Sequence, residues 1–444
     1  MKKVITYGTY DLFHEGHYNL LKNAKALGDY LIVGVTSGDF DKNRGKLNVR
    51  DSLMTRIKNV EETGFADEII IEEYFGQKID DIKKYDVDIF TVGSDWKGHF
   101  DYLNEYCEVI YLDRTKGISS TEIRNTNTIK LGCHGVEQVT ARFLEEAKYV
   151  SGMDTGAVYV ENKPDYLDKL IEDYELKVYP DQEAFYDAID AVYIVVEPKY
   201  QFQAIMNALK HKKHVLVEFP ILVTDEQLQE ITDLADDNGC IFMEGLKTAY
   251  TPAFGKLIAL AKSGIIGNIL SVDANFTQIL GKQLAEQIRL VDGGSVNALA
   301  SYPFLAFVKF LGLEYKDIQF FSRNDDKGLD MFTKILVSYE NAVATSNVAI
   351  SGKSEGDMII SGDKGYIYVP APWWKTEYFE VRFEDLNMNR KYFYKFDGEG
   401  LRYEIAEFIQ CILNKKNSIL LTIEEIRAIT KMINQFNVAN KVTF

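Results

Sequence analysis

The chain has 444 residues, too many for one ordinary core, so two or three domains are expected. A hydrophobic fraction of 46% with 26% charged residues is ordinary for a globular protein, and a formal net charge of −17 argues against a nucleic-acid-binding surface while leaving room for a local anion pocket. Cys107, Cys133, Cys240 and Cys411 form no C-x-x-C pair, which excludes a zinc knuckle or a disulfide framework from the expectations.

The opening MKKVITYGTYD lacks the long apolar stretch of a secretory signal, and the longest apolar runs, such as AVYIVV at 191–196, are of strand length. A cytoplasmic protein without membrane insertion is expected. KVITYG (3–8), YLIVGVTS (30–37), DEIIIEE (67–73), DIFTVGS (88–94) and EVIYLD (108–113) read as buried strands, and YNLLKNAKALG (18–28) as a helix. Alternation of this kind implies a parallel sheet covered by helices, with ligands beyond the carboxyl ends of the strands.

RNTNTIK (124–130) reads as a linker, and a second alternation follows with strands at 128–135, 155–162, 191–198, 214–220 and 240–246. Past about residue 250 the runs 269–280, 332–340, 341–350, 357–369 and 378–384 are rich in β-branched and aromatic residues and read as antiparallel strands. The helix 422–440 closes the chain, with Thr422 as its N-cap. The expected fold class is α/β: a Rossmann-like domain over 1–126, a second Rossmann domain over 128–250, and an α+β open, mostly antiparallel sheet over 251–444.

Four segments of the first domain carry residues suited to a nucleoside triphosphate: GTYDLFHEGH (8–17), RGK (44–46), GSDWKG (93–98) and RTKGISST (114–121). Gly8 and Gly16 permit close backbone approach to phosphate, and His14 and His17 fall where the first strand turns into the first helix. Arg44, Lys46 and Arg114 can neutralise phosphate charge. GISST opens a helix whose amides, with the hydroxyls of Ser119, Ser120 and Thr121, can cradle a second phosphate. A zinc site at His14 and His17 lacks further ligands of suitable spacing. For Trp96, packing rivals contact with a base.

HEGH and RTKGISST, in this order and with GSDWKGHFDYL between them, resemble the signatures of the cytidylyltransferases of the HxGH nucleotidyltransferase superfamily, and most closely the glycerol-3-phosphate cytidylyltransferases. The resemblance covers residues 1–126. It implies attack of a polyol phosphate on the α-phosphorus of CTP, giving a CDP-polyol and diphosphate for a cell-wall or capsule polymer. It implies catalytic roles for His14, His17, Lys46 and Arg114. It implies nucleotide contacts from Gly8, Thr9, Tyr10, Asp11, Glu15, Gly16, Asp95 and Trp96, and from Thr115, Lys116, Gly117, Ile118, Ser119, Ser120 and Thr121. Arg44 and Lys78 fall where that family uses lysines for the phosphorylated substrate. Mg²⁺ is expected on the CTP phosphates rather than in a protein cage, with Asp11 as the nearby anchor. CTP and a polyol phosphate are the expected partners, with no nucleic acid, in a homo-oligomer of two or more copies.

From residue 128 onward, DAVYIVVEP, KHVLVEFPI, FMEGLKTAYTPAF, SGIIGNILSVDANF and DGGSVNALASYPF resemble the Gfo/Idh/MocA oxidoreductases, which bind NAD or NADP. Several working positions differ. LGCHGVEQV keeps Gly132 and Gly135 but has Glu137 where the third glycine is expected, and a carboxylate beside a pyrophosphate is unfavourable unless it points away. The family's Glu-Lys-Pro reads Glu218-Phe219-Pro220, and the family's aspartate aligns with Ala298, while Tyr302 remains. NAD(P)H is therefore expected to bind weakly or not at all. Three readings stay open: an inert assembly domain, a redox site rewired around Lys247 or Tyr302, and a ligand-binding module.

Overall fold

The run KVITYG forms β1 (Lys3–Gly8), the middle strand of a five-stranded parallel sheet. With β2 (Tyr30–Thr36), β3 (Glu68–Glu72), β4 (Ile89–Gly93) and β5 (Glu108–Leu112) the order is β3-β2-β1-β4-β5. Alternate side chains of β1 serve opposite faces. Val4 packs with Leu21 of α1 (Glu15–Lys25) and Val60 of α3 (Leu53–Glu61); α2 (Gly38–Asn43) lies between these helices in sequence. Ile5 and Tyr7 pack with Phe90, Leu103 and Ile82, the last on α4 (Gln77–Tyr85). Burial on both faces explains the near-continuous apolar strands.

The structure is a computed structural model that describes all residues except 44–48, 50, 75, 114–127, 151, 162–165, 281–292, 395, 397 and 440. Two units emerge: Met1–Thr128 with Tyr149–Gly152, and Ile129–Lys148 with Met153–Phe444.

The second unit begins with another parallel sheet, of order β11-β10-β9-β6-β7-β8. Its strands are β6 (Ile129–His134), β7 (Met153–Tyr159), β8 (Lys177–Val178), β9 (Ala191–Ile194), β10 (His214–Glu218) and β11 (Phe242–Gly245). The helices are α5 (Gln138–Ala147), α6 (Leu167–Tyr174), α7 (Gln182–Asp187), α8 (Pro198–Lys210) and α9 (Asp225–Asp237). The strand expected at 191–198 stops at Ile194, because Pro198, with its preset φ, opens α8.

A mixed sheet follows, with strand order β20-β19-β18-β17-β12-β16-β15-β14-β21. These are β12 (Ile269–Ala274), β14 (Asp317–Asn324), β15 (Asp330–Ser338), β16 (Val343–Ala349), β17 (Met358–Gly362), β18 (Tyr366–Val369), β19 (Tyr378–Arg382), β20 (Arg390–Phe393) and β21 (Val442–Thr443), with the short β13 (Phe276–Thr277) paired to β16. The remaining helices are α10 (Pro252–Lys262), α11 (Ser295–Leu299), α12 (Ser301–Leu311), α13 (Leu401–Asn414) and α14 (Ile423–Val438); α11, α12 and α14 pack on the mixed sheet, α10 packs on α12, and α13 packs on α5 and β11 of the preceding sheet. Most pairings are antiparallel, while β12 and β16 run parallel.

Three differences from the sequence reading have clear causes. The helix expected at 18–28 starts at Glu15, because His14 is an extended N-cap whose side chain accepts the Gly16 N–H. DMIISGDKGYIYV is a hairpin rather than one strand, closed by Gly362 N–H donating to Gly365 O at 2.8 Å. The strand expected at 269–280 breaks at Asn275: β12 ends at Ala274, and the two-residue β13 resumes the parallel pairing with β16. The closing helix runs as expected, with Thr422 and Glu425 forming a reciprocal cap.

Glu244, near the end of β11, is buried and accepts the Ile221 N–H at 3.4 Å. Burial, reinforced by the charge of Glu218, raises its carboxyl to about 7. A raised carboxyl stabilises the fold while protonated, and this contribution is lost as pH rises from the unfolded value near 4.5 through about 7. Glu244→Gln should therefore raise second-unit stability at pH 8 by on the order of 3 kcal/mol relative to its effect at pH 4.5. Denaturant unfolding of both chains across that range checks it; parallel curves would contradict it.

Candidate active sites

In the first sheet the strand order reverses between β1 and β4, so the segments leaving these strands flank one crevice. The segment after β1 carries Thr9 to His14. His14 caps α1, and its Nδ1 accepts the Gly16 N–H at 3.0 Å. In the neutral ring the proton then resides on Nε2, which becomes the donating nitrogen. His17, on the first turn of α1, stacks on His14 with ring centroids 4.0 Å apart and planes 19° from parallel. Both imidazoles thus sit at the positive end of a helix dipole. Glu15, between them, is exposed.

The turn is unusual in its backbone. Tyr10 (φ 53°) and Leu12 (φ 48°) are both left-handed without being glycine. Tyr10 is buried with its ring edge-on to His17, and a Cβ on Gly8 would lie 2.9 Å from that ring. The smallness of Gly8 therefore accommodates Tyr10, and the Tyr10 side chain belongs to the core. Asp11 is also buried; its Oδ1 accepts Asp51 N–H at 2.8 Å, and Asp51 Oδ2 accepts Leu12 N–H at 2.8 Å. This reciprocal clamp commits Asp11 to holding the turn.

Arg56 on α3 was not legible as a site residue. It is 1% exposed. Its guanidinium donates to Thr9 O (2.8 Å), Thr36 O (2.7 Å) and Asp51 O (3.1 Å), and it pairs with Asp41 at 3.3 Å. Asp41 also accepts the Thr9 hydroxyl at 2.9 Å. One buried cation thus joins the ends of β1 and β2 to α2 and to the clamp.

Lys78 on α4 pairs with the buried Glu72 at the end of β3, and its ammonium lies 4.6 Å from the Tyr7 ring centroid. Glu72 in turn accepts the Thr36 hydroxyl at 2.9 Å. On the other side of the switch, Asp95 and Trp96 lie in a single 3₁₀ turn after β4. Trp96 is 46% exposed, its ring edge-on to His99 and tilted against Phe100, so core packing does not account for it. Arg44, Lys46 and the whole of Arg114–Thr121 (114–121) lie outside the described residues. Among the described residues no group of three or more His, Cys, Asp or Glu side chains could hold a metal ion, and no helix is long and apolar enough to cross a membrane.

The second sheet reverses order between β6 and β9. Gly132 lies inside β6, where a Cβ would strike the Phe185 ring at 2.6 Å, so it serves packing. Gly135, at φ 85°, shapes the turn into α5; a Cβ there would lie 2.0 Å from Val195 O. Glu137 is the exposed N-cap of α5, with its N–H donating to Thr140 Oγ1 at 3.0 Å. Partial desolvation, aided by the carboxylate of Glu197 beyond β9, raises its pKa.

At the same edge Glu218 ends β10, paired in register with Gly245 of β11. Glu218 accepts a short hydrogen bond from Tyr193 OH, and burial raises its carboxyl to about 7. Phe219 packs edge-on to Tyr302 with centroids 4.9 Å apart, and Tyr302 stacks on Phe276 at 4.7 Å. Ala298, on α11, is buried and offers no polar group. Lys247 lies two residues past β11. His211 bonds Asn207 O and Glu183, and His214 Nδ1 accepts the Ile241 N–H. Trp373 is core, donating to Asn275 O at 3.0 Å.

Comparison with known proteins relates the two parts of the chain to different families. Residues 5–126 match the cytidylyltransferase-like family model, and residues 131–246 match that of the oxidoreductase family with an NAD-binding Rossmann fold. Over 124 residues, 28% of this chain, it is 54% identical to glycerol-3-phosphate cytidylyltransferase of Bacillus spizizenii, covering 95% of that protein. The Staphylococcus aureus enzyme of the same name is 48% identical over 124 residues, with 93% of it covered. The remainder is similar to rabbit (Oryctolagus cuniculus) trans-1,2-dihydrobenzene-1,2-diol dehydrogenase, 26% identical over 270 residues, 58% of this chain and 80% of that one. In fold, the chain is similar to a 3-ketoreductase from Actinomadura kijaniata solved with TDP-benzene and NADP, at TM-score 0.62 and 19% identity over 72% of this chain and 100% of that one.

The first unit is thus a nucleotidyltransferase, joined to a unit with the fold of NAD(P)-dependent oxidoreductases. The chain belongs to the cytidylyltransferase-like family, and its first unit is a cytidylyltransferase like the glycerol-3-phosphate cytidylyltransferases.

Removing the buried cation should loosen the whole turn. Arg56→Met removes the buried pair with Asp41 and the three bonds to Thr9 O, Thr36 O and Asp51 O, and should cost the first unit about 3–5 kcal/mol. The measurement is thermal unfolding followed by fluorescence. A loss below 1 kcal/mol would show that the guanidinium is not the tie.

Proposed function

We propose that the first unit transfers the cytidylyl group of CTP to a polyol phosphate, with glycerol 3-phosphate the first acceptor to test, for a cell-wall or capsule polymer. The observation that carries this reading is the stacked His14–His17 pair on the first turn of α1, beside the β1/β4 switch. CTP enters as its Mg²⁺ complex, so the ion belongs to the substrate. Asp11 is not assigned to it, because its carboxylate holds the turn.

An acceptor phosphate oxygen attacks the α-phosphorus in line and diphosphate leaves. His14, through Nε2–H, and His17 donate to the phosphate oxygens as charge develops, and the α1 dipole adds to this without reorganisation. Lys46 and Arg114–Thr121 (114–121) are assigned to CTP by their motifs, with Asp95 and the exposed Trp96 at the base. Thr9 and Tyr10 contribute backbone, since their side chains are buried. Arg44 and Lys78 receive the acceptor phosphate, and the Glu72 pair fixes the Lys78 ammonium for it. Diphosphate release from CTP with glycerol 3-phosphate, ribitol 5-phosphate and related phosphates tests the reading; no reaction with any of them would defeat the acceptor assignment. His14→Ala should lower kcat about 10²–10³-fold with unchanged circular dichroism.

For the second unit the reading best supported is an NAD(P)H-dependent carbonyl reductase, in place of the inert assembly module. The support is the cluster of Glu218, Lys247 and Tyr302 at the open edge of the sheet. The β6–α5 turn fits a dinucleotide in its backbone: Gly135 is left-handed and tight against β9, and the α5 N-terminus opens at the switch. Glu137 is exposed, and its raised pKa eases neutralisation beside a pyrophosphate. The dinucleotide supplies a hydride when bound; orienting the substrate and giving a proton fall to the chain. Added phosphate charge would raise the Glu137 pKa further, so binding takes up a proton and tightens as pH falls. NADPH fluorescence titrations should show higher affinity at pH 6 than at pH 8, and Glu137→Gln should bind more tightly at pH 8 and lose most of the difference. Equal affinities at both pH values would count against the assignment of Glu137.

A further inference from the structure

Glu404 on α13 is fully buried, and neither carboxylate oxygen has a hydrogen-bond partner among the described residues. A Cβ on Gly245 would lie 3.5 Å from Glu404 Oε1, so the carboxyl stands directly at the end of β11. Glu218 reaches the same place from β10, and Lys247 follows β11 by two residues. Glu218 and Glu404 therefore meet where a parallel sheet opens to ligands, and both act electrostatically on Lys247, which leaves the same edge. An orphaned buried carboxyl costs free energy unless it has a task or a ligand.

A carbonyl reduction at this edge needs one group that can give up a proton near neutral pH. Tyr193 is in the core, stacked on Phe143 at 3.8 Å with its hydroxyl given to Glu218. Tyr302 is enclosed by Phe219 and Phe276, and burial holds its hydroxyl far above its ordinary value. Phe219 and Ala298 have no proton to give. Lys247 is partly exposed, and desolvation lowers its pKa against the opposing pull of Glu404 and Glu218. The other charges facing it are Lys375, which lowers it further, and Glu399, which raises it.

We infer that Lys247 is the proton donor of a second active site, with Glu218 and Glu404 as the positioning residues that keep its ammonium poised. The inference rests on the reductase reading of the second unit. In the step it serves, a carbonyl carbon gains a hydride from the nicotinamide dinucleotide. The carbonyl oxygen takes the Lys247 proton, the dinucleotide is left oxidised, and solvent reprotonates the amine. The substrate class is a small polyhydroxy aldehyde or ketone. Reduction of a phosphorylated member of this class is the reaction that would supply a polyol phosphate to the first unit.

The test uses the full chain. Competitive acetylation across pH, read by mass spectrometry, should show Lys247 titrating below the surface lysines, and lower still in Glu218→Gln, which removes a supporting carboxylate. A surface-like profile for Lys247 overturns the inference whatever the substrate. NADPH oxidation is then followed with glyceraldehyde, dihydroxyacetone and their phosphates. The rate should fall as pH rises through the Lys247 midpoint, and in Glu218→Gln that limb should move to lower pH. Lys247→Met should retain NADPH affinity and lose at least 100-fold in turnover; a loss under 5-fold overturns the donor while leaving the reductase reading intact. Failure of the wild-type chain to bind NADPH overturns the reductase reading itself. Binding without oxidation of any of these carbonyls overturns the inference for this substrate class.

Discussion

Strands covered by helices on both faces meet solvent only at their ends, and this constraint places every functional group discussed above. Backbone hydrogen bonding occupies the strands along their length, and the helices occupy both faces. Where strand order reverses, the connecting segments diverge and leave a crevice at the carboxyl edge. The first sheet does this between β1 and β4, and the parallel sheet of the second unit between β6 and β9. The same geometry carries opposite electrostatics in the two cases. The first edge presents a helix start with two imidazoles; the second presents Glu137, Glu197 and Glu218.

At the first edge, precision is obtained by burying charge. Two non-glycine residues in left-handed backbone, Tyr10 and Leu12, carry a cost of roughly 1–3 kcal/mol each. The Asp11–Asp51 clamp and the Arg56 guanidinium offset it by satisfying the backbone groups that the turn leaves open. A buried arginine paired to one carboxylate and three carbonyls adds little net stability over an apolar replacement of the whole cluster. Its value is positional: it fixes the ends of β1 and β2 relative to the turn that presents His14.

At the second edge, apolar and ionisable groups lie close together. Phe219 and Ala298 are apolar, and Phe219, Tyr302 and Phe276 form a continuous aromatic contact. Ionisable groups lie beside that contact: Lys247, Glu218 and Glu404. Glu218 and Glu404 are pushed toward their neutral forms and Lys247 toward its neutral form as well, the expected response of ionisable groups drawn out of water together.

Much of this was legible in the sequence because it is local. Apolar runs of strand length identified the parallel strands, Thr422 announced its helix, and HEGH with RTKGISST pointed to the cytidylyltransferase class. Turn chemistry inside an apolar run was harder: SGDKGY turns 357–369 into a hairpin, and β14 and α13 did not emerge from the pattern at all. Tertiary structure alone decided the rest. Arg56 looks like any charged residue on a helix surface until its partners, Thr9, Thr36, Asp41 and Asp51, are brought around it. Lys247 likewise acquires meaning only beside Glu218 and Glu404, which lie on other elements far away in the chain. Hydrophobic periodicity and capping act over a few residues and can be read in order. Burial of a charge depends on which distant segments close over it, and that is fixed by the fold.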